Sequence, residues 1–196
     1  MNEIEQVQKR PGMYIGETSD GTNLVLGLVT IAVAEALAGH VGQIGVTLNA
    51  DGSCTVRDNG RGIPTGLGDD EQSKAQALLT SHTTFSYADL ALDVAGGCFC
   101  YLFVVNALSE WIDIRTWTPG EEHRLHFLRG RLESEISVTR TADGRDLRHN
   151  HGAEFRFLPN GQFLSSTTFD FGKLERRLLE LSVMNGNLDV RIEDLR

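Results

Sequence analysis

Cysteine is scarce in this chain, with Cys54, Cys98 and Cys100 the only three. A single Cys-x-Cys pair without a spaced second pair gives neither a zinc framework nor a disulfide scaffold, so the thiols are expected to be small buried apolar groups. Positive charge is also short. Lys and Arg number 18 against 27 Asp and Glu, a net charge of −9, and no Lys/Arg block offsets it. That balance argues against direct binding to nucleic acid, whose phosphates demand cationic neutralisation. Long hydrophobic runs are missing too: the longest apolar stretch, Leu24 to Ala34, is about half of what a bilayer crossing needs. The opening Met-Asn-Glu-Ile-Glu-Gln has neither the basic nor the apolar region of a signal peptide. A cytoplasmic protein with no membrane partner is expected.

What is present suits a packed globular core. At 196 residues the chain can bury one without staples, and residues 1–196 are expected to form a single domain. Leu24 to Gly39 is apolar nearly all round, which predicts a buried helix with Asp20-Gly-Thr-Asn23 at its start. Ile44, Val46 and Leu48 alternate up to the turn Asn49-Ala-Asp-Gly52, and Cys54 and Val56 continue beyond it, the pattern of a β-hairpin. A short helix is expected near Ser73–Thr80, then an irregular region, then an apolar helix from Cys98 to Leu108. Strands are expected at Trp111–Trp117, Arg124–Phe127 and Gly152–Pro159, the first two joined at Pro119-Gly120. Asp170 should cap a final helix through Met184, with Leu174, Leu178 and Leu181 as its stripe, before a last strand at Leu188–Ile192.

Three stretches carry a family pattern: Lys9-Arg-Pro-Gly-Met-Tyr-Ile-Gly16, Arg57-Asp-Asn-Gly-Arg-Gly-Ile-Pro64 and Val104-Val-Asn-Ala-Leu-Ser-Glu-Trp111. On these the chain resembles the ATPase domain of the gyrase B protein and its topoisomerase IV counterpart, in the GHKL superfamily. The resemblance implies an α+β fold, a two-layer sandwich of the Bergerat type with helices on one face of a mixed sheet. It stops where family members continue into a transducer domain, which is not expected here.

The same resemblance makes the apolar helix informative for what it omits. In the family, the helix before Glu-Ala-Leu-Ala-Gly-His carries a glutamate that polarises water and, four residues on, an asparagine that binds magnesium. Counted back from Glu35, those positions are Gly27 and Ile31, and Thr30 and Ala34 replace two further acidic residues. The family's glycine-rich phosphate lid becomes Ala95-Gly-Gly-Cys-Phe-Cys-Tyr-Leu-Phe103, with Phe99 and Tyr101 at glycine positions. Bulky β-carbons deny the close backbone approach that a phosphate cradle requires. Neither a metal nor another cofactor is therefore expected, and the resemblance implies a relative that has lost ATP hydrolysis.

The rest of the pocket is retained in part. Asp58 matches the family aspartate that accepts a hydrogen bond from the adenine amino group, with Gly62, Ile63 and Pro64 beside it. Arg61, Pro64 and Arg124 match positions of the outer pocket, where the family also binds aminocoumarins, while Ala153 replaces a threonine near the adenine. With Ile31, Phe99 and Tyr101 these residues outline an apolar cavity with one acid at its floor, suited to an apolar small molecule. The aromatics could instead swing inward and fill it. Asp58 is the candidate acid or base for an isomerisation or cyclisation, and His82 the histidine expected nearest the mouth. Two other functions stay open: an interaction protein that binds the subunits of gyrase or sequesters gyrase inhibitors, and an ATP binder without hydrolysis.

Overall fold

The computed structural model describes residues 3–66, 73–81, 100–118, 121–138, 151–186 and 188–196. His82 and Phe99, and most of the expected lid, lie outside the described residues.

The apolar helix forms as α3, Thr22–Leu37, after two short helices, α1 (Glu3–Lys9) and α2 (Gly12–Ile15). Asp20 helps start α3 by accepting the Thr22 N–H at 2.8 Å through Oδ1. Its end is a Schellman motif: the His40 N–H reaches Glu35 O and the Gly39 N–H reaches Ala36 O, both at 2.9 Å. Gly39 supplies the left-handed residue this closure needs, with φ of 82°. Leu24, Val25, Leu28, Val29, Ile31 and Ala32 are buried, because α3 is enclosed on most of its circumference.

The hairpin follows as β1 (Gln43–Leu48) and β2 (Cys54–Asp58). Then come α4 (Lys74–Thr80), α5 (Cys100–Leu108), β3 (Ser109–Thr118), β4 (Glu121–Leu128), β5 (Arg131–Val138) and β6 (Gly152–Pro159). The chain finishes with α6 (Phe171–Met184) and β7 (Asp189–Asp194). Ser73 and Asp170 cap α4 and α6 by accepting the N–H groups of Gln76 and Lys173. Leu174 and Leu178 of the α6 stripe are buried.

The strands form one seven-stranded sheet in the order β5-β4-β3-β6-β2-β1-β7. It is mixed, with β7 parallel to β1 and the other pairs antiparallel. Ile44, Val46, Val56, Ile112, Ile114, Phe155 and Phe157 share the inner face and join α3 and α5 in one core. The outer face carries Arg57, Glu154 and Arg115, neighbours across β2, β6 and β3 that pair as ions at 3.4 and 3.5 Å. This is the α+β sandwich with helices on one face. Among the described residues no helix is long and apolar enough to cross a membrane.

Candidate functional site

A cavity of ≈ 170 Å³ lies between α3 and the inner face of the sheet. Helical spacing supplies one wall: Leu28, Ile31, Ala32 and Glu35 recur at i, i+3, i+4 and i+7, so all face the sheet. The opposite wall is the segment after β2, Arg61-Gly-Ile-Pro64, and the floor comes from Asp58, Ala153, Phe155 and Thr118 on β2, β6 and β3.

Two glycines let the floor close up. Gly62 has φ of 78°, and a β-carbon there would sit 2.5 Å from Thr116 Oγ1. Gly152 has φ of 103°, and its missing β-carbon leaves room for the Asp58 carbonyl. Thr116 uses the space: its Oγ1 accepts the Ile63 N–H at 2.7 Å and lies 3.4 Å from Gly152 O, to which it can donate. The hydroxyl thus ties the Ile63 wall to the start of β6.

Asp58 is the polar group at the floor. Its Oδ1 accepts the Gly60 N–H at 2.8 Å, and the Ala153 N–H is a second donor. Burial raises its pKa from 3.8 to about 6, more than these bonds and Arg57 lower it, and the Glu35 charge adds to the rise. The group therefore changes protonation near neutral pH, where it can accept a hydrogen bond as carboxylate or donate one as acid. At the mouth, Arg61 grips Glu35 with both prongs, Nε to Oε2 at 3.0 Å and Nη2 to Oε1 at 2.9 Å. Its charge is consequently matched within the wall.

The structure gathers Ile31, Asp58, Arg61, Gly62, Ile63, Pro64 and Ala153 around this one cavity. Two expected members are placed elsewhere. Arg124 is not among the residues that line the cavity: it sits on the outer face of β4 opposite Arg115, with Nε bound to Glu122 at 2.7 Å. Strand alternation dictates this, since Leu125 and Phe127 that follow it on β4 take the inner face. Tyr101 packs on α3, where a β-carbon at Gly27 would meet its Cδ1 at 2.8 Å. It covers the helix one turn before Ile31 and belongs to the packing, not to the cavity wall. Leu28, Ala32, Glu35, Thr118 and Phe155 are lining residues that motif matching missed. The helical period starting from Ile31 would have found Leu28 and Glu35.

The residues do not suit magnesium-dependent phosphate chemistry at the helix. Gly27 offers no side chain and is roofed by a phenol ring, and Ile31 offers only carbon. Among the described residues no group of three or more His, Cys, Asp or Glu is placed to hold a metal ion.

No protein-family model matches the chain. Individual relatives do. The DNA gyrase B protein of Rickettsia conorii is 38% identical over 199 residues, covering 98% of this chain and 24% of the relative. The DNA gyrase B protein of Caulobacter vibrioides is 37% identical over 204 residues, covering 98% of this chain and 25% of the relative. Among solved structures, the 43K ATPase domain of Thermus thermophilus gyrase B in complex with an aminocoumarin matches with a TM-score of 0.82 and 33% identity. That match covers 98% of this chain and 49% of the other. The sheet order, the buried α3 and the Asp58–Pro64 wall define the GHKL class of ATPase-type fold. Within it, the chain belongs to the gyrase B ATPase-domain family. It spans about a quarter of the length of the curated relatives it matches.

Proposed function

We propose that this gyrase-B-type domain has lost ATP hydrolysis and uses its former nucleotide pocket to bind an apolar small molecule. The observation that carries the proposal is the Tyr101 ring seated on Gly27, where the family's water-polarising carboxylate would have to stand. Phosphate chemistry needs charge and coordinating oxygens aimed at the triphosphate; at Gly27 and Ile31 the helix offers none, and its one carboxylate on this face, Glu35, is held by Arg61. The apolar walls around Asp58 supply the complementary preference: a flat or aliphatic body with one polar group that meets the carboxyl. A catalytic version of this function is a metal-free proton transfer, such as an isomerisation or cyclisation, with Asp58 as the acid or base. A cytoplasmic location completes the reading, and relatedness to gyrase supports it.

Calorimetric titration with ATP plus magnesium, beside an aminocoumarin, tests the proposal. No ATP binding with saturable aminocoumarin binding is expected. Tight magnesium-dependent ATP binding or ATP turnover would overturn it. Association with the subunits of gyrase is a second reading, favoured by 38% identity to a gyrase B protein along 98% of the chain. Co-purification with them at stoichiometric yield would establish it, and gel filtration of the mixture as separate species would remove it.

A further inference from the structure

The cavity is small, and among the described residues one large side chain sets its depth. A cavity of about 150 Å³ walled by aliphatic and aromatic groups admits a single benzene ring, and this one measures ≈ 170 Å³. Along α3 it can extend no further toward the helix start, because the Tyr101 ring covers Gly27. The paired Arg61 and Glu35 line it as well. Toward the sheet, Phe155 lines the floor.

Phe155 is held there firmly. It is 3% exposed and lies in the middle of the sheet, opposite Val56 on β2 and Ile114 on β3. Both neighbours are themselves buried, so the ring has no free space to swing into without displacing core. A smaller β-branched residue at this position would suit the strand equally well and leave the cavity deeper.

Building on the small-molecule reading above, we propose that Phe155 is the specificity-determining residue of the cavity. It limits the part of a ligand that reaches the floor to one ring or two fused rings that carry an N–H or O–H donor for Asp58, and it keeps three fused rings from reaching that carboxyl.

Titration of the full chain with indole and with β-carboline, a three-ring N–H heterocycle, tests this in the wild type and in Phe155→Val. Shape discrimination in apolar pockets runs from about tenfold upward. The wild type is expected to bind indole at least about tenfold tighter than β-carboline, and Phe155→Val to narrow or invert that ratio by a similar factor. Thermal melting checks that the variant is folded; if it is not, Phe155→Leu takes its place. An unchanged ratio in a folded variant overturns the role of Phe155 and leaves the cavity reading standing. Absence of saturable binding of either probe, in both wild type and variant, overturns the cavity reading and this inference with it.

Discussion

The ring of Tyr101 on α5 lies against the one residue of α3 that has no side chain to resist it, Gly27, with Cδ1, Cγ and Cβ all within 3.4 Å of where a β-carbon would stand. The atoms involved are at the root of the ring, so a rotation of the distal end cannot relieve the crowding. Tyr101 in this place therefore requires a residue without a β-carbon at position 27.

That pairing predicts a reversal of sign. Gly27→Ala in the wild type should destabilise, because overpacking costs about 1–3 kcal/mol while the gain in helix propensity is only about 0.5–1 kcal/mol. In a Tyr101→Ala background the clash is gone and the same substitution should stabilise by roughly that propensity difference. Urea unfolding of the four proteins in a double-mutant cycle measures it. Additive effects of the two changes would sink the idea.

Asp58 gives the fold a pH signature. Its carboxyl ordinarily titrates at 3.8 and is raised to about 6 here, so the folded state holds the proton more tightly than the unfolded chain. Stability is consequently greatest below the unfolded value and falls as pH rises from about 4 through about 6. The loss levels off at no more than about 3 kcal/mol. Asp58→Asn removes the titration, so it should melt higher than the wild type at about pH 7.5, with the advantage gone near pH 4. Parallel melting profiles for the two proteins across that range would contradict the assignment.

Much of this architecture was legible in the chain. The cap at Asp170, the alternation through Ile44, Val46 and Leu48, and the all-round apolar α3 each follow from local physics. Asp58, Gly62 and Ile63 were legible through the family resemblance, and the left-handed Gly62 and the Asp58–Gly60 turn are the local geometry that holds them. β5 was not legible: it is an edge strand whose Glu133, Ser134, Glu135 and Ile136 are exposed, so no buried face marks it in the sequence. Arg124 was placed by family position, and the alternation of its strand turns it to the outer face rather than the cavity wall. Tyr101 and Glu35 needed tertiary information, since only the packing of α5 on α3 and the approach of Arg61 decide what they touch.

The Thr116 hydroxyl should matter more than its size suggests. Thr116→Val keeps shape and strand preference but strands the buried Ile63 N–H, which loses its 2.7 Å acceptor. An unsatisfied buried donor costs about 1–3 kcal/mol. Thr116→Ser retains the oxygen and should recover most of that loss. Chemical unfolding of both variants decides it: a Val variant as stable as the wild type beside a destabilised Ser variant would mean that packing of the methyl group, and not the bond, is what counts.

Glu35 links the mouth of the cavity to its floor. Its charge repels Asp58 and raises that pKa, while the same carboxylate holds Arg61 in a bidentate grip. Glu35→Gln removes the repulsion and releases the guanidinium from its ionic partner, and both changes favour the ionised form of Asp58. The Asp58 pKa should therefore fall in the variant without returning to its ordinary value, because burial, the largest cause of the rise, is untouched. A pH titration of carboxyl carbon-13 shifts reads this directly. The consequence extends to recognition. A ligand that donates an N–H to Asp58 needs the carboxylate, so its affinity should rise with pH along the Asp58 titration, and in Glu35→Gln that rise should begin at lower pH. If the carboxyl titration moves down while the pH dependence of binding does not follow, the ligand does not use Asp58 as its acceptor.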